Sequence, residues 1–136
     1  MKQLFIILIL ASCTAENVVP SKPAAPLIFD PATSTLLKMG TIEGIGHVAS
    51  GTAAVYESNG KLFVLLDPFS SQNGPDLKVY LSKDVQASSY IKLGNLKSTN
   101  GSQSYEVPGM PDIAQYTYLH IWCEEFSVEF GRAALN

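Results

Sequence analysis

The sequence contains three Asn-Gly pairs, at residues 59–60, 73–74 and 100–101, and strand-like segments flank each of them. Because Asn and Gly both tolerate positive φ, this pair is the preferred corner of a tight β-hairpin. Apolar residues alternate with polar ones along 77–82 and 126–130, as they do in strands that bury one face. These features predict a fold made of short antiparallel strands.

Residues 62–66 are apolar without alternation, which predicts a central strand that is covered on both faces. No window of about a dozen residues has the 3.6-residue period of a helix. The chain of 136 residues supplies the core of one domain. We therefore expect one all-β domain, an antiparallel β-sandwich or small barrel. Its predicted strands lie near residues 40–46, 48–57, 61–68, 76–82, 90–96, 103–107, 117–123 and 126–133.

The N-terminus has the composition of a secretory signal. Lys2 supplies a positive charge, and residues 4–10 form an unbroken apolar run. This run is shorter than the roughly 20 residues that a membrane-spanning helix needs, but it suits the core of a signal peptide. Residues 10–13, Leu-Ala-Ser-Cys, resemble the bacterial lipobox, in which the cysteine accepts a lipid. The sequence predicts a cleaved signal peptide at 1–12, a lipidated Cys13 and export to a bacterial cell-envelope membrane.

Prolines dominate the segment that follows Cys13. Four of the eight in the chain are Pro20, Pro23, Pro26 and Pro31. Because proline fixes φ and lacks a backbone donor, this composition favours an extended, weakly folded backbone. We therefore expect residues 13–35 to comprise the lipidated cysteine and a tether, and residues 36–136 to form the β domain.

Charge and motifs exclude several function classes. The net charge is −3 and no basic cluster occurs, so nucleic acid is not an expected partner. The chain has no Cys-x-x-Cys-His, Gly-x-Ser-x-Gly, Walker or Gly-x-Gly-x-x-Gly sequence, and we predict no catalytic residue. One thiol beside two histidines is too few for a structural zinc site. The order Met110, His120, Cys123 also differs from blue-copper proteins, in which His and Met follow Cys. No metal site is predicted.

Cys123 is the second of two cysteines, and it has no disulfide partner if Cys13 carries a lipid. Strand parity places Cys123 on one face with Leu119 and Ile121, where it would pack as a small hydrophobic residue. The adjacent residues 124–125, both Glu, disfavour a thiolate and are otherwise expected to form a solvated corner. Residue chemistry alone therefore favours a structural cysteine.

The two histidines have ordinary interpretations. His47 stands at a strand start between Gly46 and Val48, and it is expected to be a hydrogen-bonded structural residue. His120 alternates with the apolar face of its strand, and it is expected to be partly exposed beside Trp122.

Six short segments resemble, in order, those of a known family. They are His-Val-Ala-Ser-Gly at 47–51, Gly-Pro-Asp-Leu at 74–77 with Tyr-Leu-Ser at 80–82, Leu-Gly-Asn-Leu-Lys at 93–97, Gly-Ser-Gln-Ser-Tyr-Glu-Val-Pro at 101–108, Ile-Trp-Cys at 121–123, and Phe-Ser-Val-Glu-Phe-Gly-Arg-Ala-Ala-Leu at 126–135. Together they resemble the DM-thirteen domain, an electron-transfer domain also found beside DOMON and cytochrome b-type domains. The resemblance covers about residues 38–136.

This resemblance implies an all-β sandwich with a redox role at the Trp-Cys cysteine, which is Cys123 here. The cysteine would act as a bare thiol or as a ligand to a haem-like group. His47 falls on the family's His-x-x-x-Gly position and is the second candidate for cofactor binding. Two positions depart from the pattern, because Ile42 replaces a usual aromatic residue and His120 is not part of the pattern.

We therefore expect a cell-envelope lipoprotein whose domain takes part in electron transfer or thiol redox through Cys123. Its partners would be the membrane, through the lipid on Cys13, and a redox protein. The alternative is a non-catalytic binding or scaffold module in which Cys123 is structural. Both hypotheses favour a transfer or binding domain over an enzyme, and both leave the presence of a cofactor open.

Overall fold

The computed structural model describes residues 18–23 and 25–136, and these residues form eight β-strands without an α-helix. No helix in this part of the chain is long and apolar enough to cross a membrane. The predicted signal peptide and Cys13 lie outside the described residues. The strands are β1 Thr35–Gly44, β2 Ala49–Ser58, β3 Lys61–Ser71, β4 Leu77–Ser82, β5 Tyr90–Asn95, β6 Gln103–Val107, β7 Tyr118–Cys123 and β8 Val128–Ala134.

All eight strands belong to one antiparallel sheet with the order β5-β4-β7-β8-β1-β2-β3-β6. The edge strands β5 and β6 approach each other, so the sheet is nearly a barrel. The predicted all-β fold class is confirmed. Each predicted strand has its counterpart, and the largest shift is at β1, which begins at Thr35.

A buried amide spans the gap between the two edges of the sheet. Gln103 on β6 is fully buried, and its Oε1 accepts hydrogen bonds from the backbone N–H groups of Lys97 and Ser98, which follow β5, at 3.1 and 3.2 Å. Its Nε2 donates to the Ser98 carbonyl at 2.8 Å. The Lys97 N–H also donates to the Tyr105 hydroxyl at 2.8 Å. Side chains thus satisfy the backbone groups that a β5–β6 ladder would have paired.

Only one Asn-Gly pair forms the hairpin that its composition predicts. Asn59 and Gly60 have φ values of 50° and 75° and join the paired strands β2 and β3. The pair at residues 73–74 leads from β3 to β4, and the pair at 100–101 lies between β5 and β6, and these strands are not sheet neighbours. Asn-Gly therefore marks the corners correctly, but it does not determine which strands pair.

The proline-rich segment packs against the sheet, which differs from the expectation of a weakly folded tether. We call residues 18–23 and 25–34 the N-terminal segment. Val19 is only 6% exposed and belongs to the hydrophobic core. The Phe29 ring stacks on Phe63 of β3 with centroids 4.7 Å apart, and the Ser98 hydroxyl donates to the Lys22 carbonyl. Proline prevents regular pairing here, but it does not prevent packing of the apolar side chains between the prolines.

Two adjacent valines test whether this packing stabilises the domain. Val18 is 55% exposed and Val19 is 6% exposed. Val19→Ala should lower the free energy of unfolding by about 1–3 kcal/mol, because it removes buried methyl groups. Val18→Ala should change it by less than about 0.5 kcal/mol. Urea denaturation of both variants measures the difference, and equal effects would show that the segment does not pack as described.

Candidate functional site

Cys123 lies at the end of β7 with its thiol inside the sheet. The residue is fully buried and shares the core with Leu119 and Ile121, as strand parity predicts. Its Sγ donates a hydrogen bond to the Pro75 carbonyl at 2.9 Å. Leu77, which is directly opposite on β4, is 1% exposed. In this state the sulfur contacts protein atoms and is not available to solvent.

The loop at residues 72–76 covers the end of the sheet that contains Cys123. Gly74 lies against Phe130, where a Cβ atom would come within 2.6 Å of the ring Cζ, so a larger residue would displace the ring. Pro75 pairs with Val18 in an isolated β-bridge, and Asn73 Nδ2 donates to the Val19 carbonyl at 3.0 Å. The loop and the start of the N-terminal segment therefore form two covering elements over the thiol.

His47 lies in the β1–β2 connection and stacks on a core residue. Its ring is 3.6 Å from that of Phe130, centroid to centroid, and the two planes differ by 9°. Its Nδ1 is 3.2 Å from the Ile45 carbonyl oxygen. In the described residues no hydrogen bond joins His47 to Cys123. His47 and Cys123 nevertheless lie near the same loop. Phe130, on which His47 stacks, lies against Gly74. The carbonyl of the next residue, Pro75, accepts the hydrogen bond from the Cys123 thiol.

Cys123 and His47 are not arranged here to hold a haem-like group together. A cavity of about 200 Å³ lies beside the loop and is lined by residues 18–20, 76–77 and 95–96. Ligand sites usually measure about 300–1,000 Å³, and neither Cys123 nor His47 lines this cavity. A haem ligand must also present its donor atom to the iron, whereas the thiol hydrogen of Cys123 is directed at a backbone carbonyl. Within residues 18–23 and 25–136, no three His, Cys, Asp or Glu side chains are arranged to hold a metal ion.

His120 is fully buried, and the expectation that it is partly exposed is wrong. Its Nε2 is 2.6 Å from Ser82 Oγ, and its Nδ1 is 2.6 Å from Glu129 Oε1. The connection after β4 covers this outer face of the sheet, with Arg132 donating to the Val85 carbonyl at 3.4 Å. Sequence reasoning could not find this arrangement, because exposure on the outer face depends on a loop whose path the strand pattern does not define.

The series Ser82–His120–Glu129 resembles a hydrolase triad, but the Ser82 hydroxyl is engaged in a structural hydrogen bond. Ser82 is fully buried, and its Oγ donates to the Asp84 carbonyl at 2.7 Å. A hydroxyl has one proton, and that of Ser82 is directed at the Asp84 carbonyl. This chain of hydrogen bonds fastens the connection after β4 to the sheet. It offers no approach to a substrate.

Of the two residues expected to form a solvated corner, Glu125 is exposed, whereas Glu124 is half-buried and paired. Its Oε1 accepts a hydrogen bond from the Tyr80 hydroxyl at 2.5 Å, and it lies 2.5 Å from Lys92 Nζ. The Lys92 ammonium and then the Tyr80 hydroxyl lower the pKa of Glu124. Burial, followed by the hydrogen bond to Glu124, raises the pKa of Tyr80. One sequence feature could have indicated this contact. Tyr80 is an aromatic residue at an outward position of β4, close to the lysines of β4 and β5.

Comparison with known proteins identifies the domain. The family model described as "Electron transfer DM13" matches residues 41–135, a region that begins within β1 and ends after β8. No curated protein and no solved structure matches the chain. Because the family match covers well over half of the 136 residues and includes Cys123, this chain belongs to the Electron transfer DM13 family.

Proposed function

We propose that this protein is an electron-transfer domain, lipid-anchored to a bacterial envelope membrane, in which Cys123 carries out thiol redox chemistry. The family description supports electron transfer. The observation that carries the choice of residue is the position of Cys123, whose thiol lies beneath one loop and the N-terminal segment. This thiol is separated from the surface by elements that lie outside the strand ladders.

Thiol–disulfide exchange is a redox reaction that a single thiol can perform with a partner disulfide. The Cys123 thiolate attacks a disulfide of a partner protein, a new bond forms between Sγ and one partner sulfur, and the partner disulfide breaks. The departing sulfur takes up the proton that the Cys123 thiol released. The partner disulfide is thereby half reduced, and a mixed disulfide holds the two proteins together. The attack requires contact between sulfur atoms, so the full burial of Cys123 makes a preceding opening necessary.

Among the described residues, the start of the N-terminal segment is attached outside the strand ladders by a few polar interactions. Residues 18–20 are attached by the bridge from Val18 to Pro75, the Asn73–Val19 hydrogen bond and the hydrogen bond from the Thr99 N–H to the Pro20 carbonyl at 2.9 Å. Chain segments near termini commonly open at a lower free energy than core strands do. Detachment would uncover Pro75 and remove the Asn73–Val19 contact that holds the loop at 72–76, so that both covering elements could move away from the Cys123 thiol. We propose that this opening controls the reactivity of Cys123.

The second candidate is a non-catalytic binding or scaffold module in which Cys123 is structural. The observation in its favour is the same burial, since the thiol packs among aliphatic side chains and its hydrogen bond is satisfied. In that case the thiol would react only after the sheet itself unfolds. The two candidates therefore differ in what has to open before Cys123 reacts.

An amide substitution in the covering loop distinguishes the two candidates. Asn73→Ala removes the hydrogen bond to Val19, and it should accelerate mixed-disulfide formation between Cys123 and an aromatic disulfide reagent under native conditions. Gln72→Ala is the matched control, because Gln72 bonds to Val48 and not to the N-terminal segment. Cys123→Ser should eliminate the reaction. Equal rates in wild type, Asn73→Ala and Gln72→Ala, each matching the rate of global unfolding, would favour the structural cysteine and contradict our proposal.

The lipid anchor rests on the sequence at residues 10–13 and on the start of the described domain. Val18, the first described residue, comes five residues after Cys13. Even a fully extended link of this length would reach only roughly 18 Å. A lipid on Cys13 would thus hold the Pro75 end of the sheet close to the membrane. Two or three acyl chains anchor a protein firmly, whereas one chain binds only marginally.

Replacement of the candidate lipidation site tests the anchor. In a bacterial host, Cys13→Ala should abolish incorporation of labelled palmitate and leave the signal peptide uncleaved. Cys123→Ala is the control, and it should be processed and labelled as wild type is. The label in the protein band measures palmitate incorporation, gel mobility measures cleavage of the signal peptide, and membrane fractionation measures anchoring. Normal processing of Cys13→Ala would contradict the lipoprotein assignment and would leave the redox proposal to its own test.

A further inference from the structure

The outer face of β4, β5 and β7 carries a stack of three aromatic rings. Tyr80 on the central strand β4 is 4% exposed. Its ring centroid lies 4.2 Å from that of Tyr90 on β5, and the planes differ by 11°. Trp122 on β7 lies 6.1 Å away on the other side, at 17°. Tyr90 is 47% exposed, so a surface ring, a buried ring and a half-buried indole form one series.

The buried member of this series has a proton acceptor aligned with it. The Tyr80 hydroxyl donates to Glu124 Oε1 at 2.5 Å. Lys92 Nζ lies 2.5 Å from the same oxygen and holds the carboxyl in its ionised form. Tyr105 provides the contrast within this protein, since it is also buried but donates to the amide oxygen of Gln103 at 2.7 Å. An amide oxygen is a far weaker base than a carboxylate.

We infer that Tyr80 is a one-electron redox residue, with Glu124 as its proton acceptor and Tyr90 as its contact with an oxidant at the surface. The oxidant is the high-potential, metal-centred electron acceptor of a partner protein. One electron passes from Tyr80 through Tyr90 to that acceptor, and the phenolic proton moves to Glu124 Oε1. The products are a neutral phenoxyl radical, a protonated carboxyl group and an acceptor reduced by one electron. Reduction of the radical by one electron returns the proton to Tyr80.

The physical argument for this pair concerns charge in a buried site. Oxidation without proton transfer would create a cation among packed rings, and an uncompensated buried charge is costly. Transfer along the existing hydrogen bond moves the positive charge onto the Glu124–Lys92 pair, which is partly exposed. Lys92 opposes protonation of Glu124, but an oxidised phenol is a far stronger acid than a carboxylic acid. The proton transfer therefore remains favourable.

This site is separate from Cys123 and goes beyond the proposed thiol chemistry. Trp122 precedes Cys123 in the chain, but successive side chains of a strand point to opposite faces, so the indole is on the outer face while the thiol is inside. The route ends at Trp122 on the outer face of β7. Its function does not depend on the opening that exposes the thiol.

Flash photolysis of the full-length protein with a ruthenium tris-bipyridine oxidant tests the inference. Wild type should give a long-lived neutral tyrosyl radical, detected by transient absorption and electron paramagnetic resonance. Tyr80→Phe keeps the stack but lacks the hydroxyl, and it should lose most of that signal. Tyr56→Phe is the control, because Tyr56 packs with Phe29 away from this stack, and it should retain the signal.

Two substitutions around the carboxyl group have opposite expected effects. Glu124→Gln cannot accept the proton, so the radical should form more slowly and lose its solvent-isotope effect. Lys92→Met leaves a more basic carboxylate, so the radical should form faster. Thermal melts verify that each variant is folded. An unchanged radical in Tyr80→Phe, or equal rates in Glu124→Gln, Lys92→Met and wild type, would overturn the inference.

Discussion

The outer side of β3 is apolar, and it stays out of water because the N-terminal segment packs across it. Phe63 and Leu65 point away from the core that contains Leu62, Val64 and Leu66, yet both are only 6% exposed. Phe29 stacks on Phe63, and the Ile28 N–H donates to the Ser104 hydroxyl on β6 at 3.0 Å. The same segment then supplies Val19 to the core at the end that contains Cys123. The N-terminal segment therefore packs against both β3 and the end of the core that contains Cys123.

Polar side chains complete the fold where backbone pairing ends. Gln103 satisfies the groups between β5 and β6, and His120 connects Ser82 to Glu129 beneath the connection after β4. Every buried side-chain nitrogen and oxygen in the described part of the chain has a hydrogen-bond partner. Buried polar groups are costly when unpaired, so each such network restricts the alternatives that the chain can adopt.

Local pattern was sufficient to predict the strands and the inward position of Cys123, because alternation with period two is a property of neighbouring residues. Contacts between distant residues were not predictable in this way. Tyr80 and Glu124 are 44 positions apart, and their contact follows from the pairing of β4 with β7. The burial of His120 depends on a loop, and the packing of Phe29 depends on a segment whose prolines indicated a tether. One feature of the sequence did indicate this packing. Because β3 is apolar on both faces, a further part of the chain has to cover its outer face.

The central claim is that Cys123 becomes reactive through detachment of the N-terminal segment and not through unfolding of the sheet. Its most direct test is the rate of Cys123 labelling by a thiol reagent as a function of urea concentration. Detachment of a few residues exposes little surface, so the rate should hardly depend on urea below the unfolding transition. A rate that rises from the first addition of urea with the full slope of global unfolding would contradict the account.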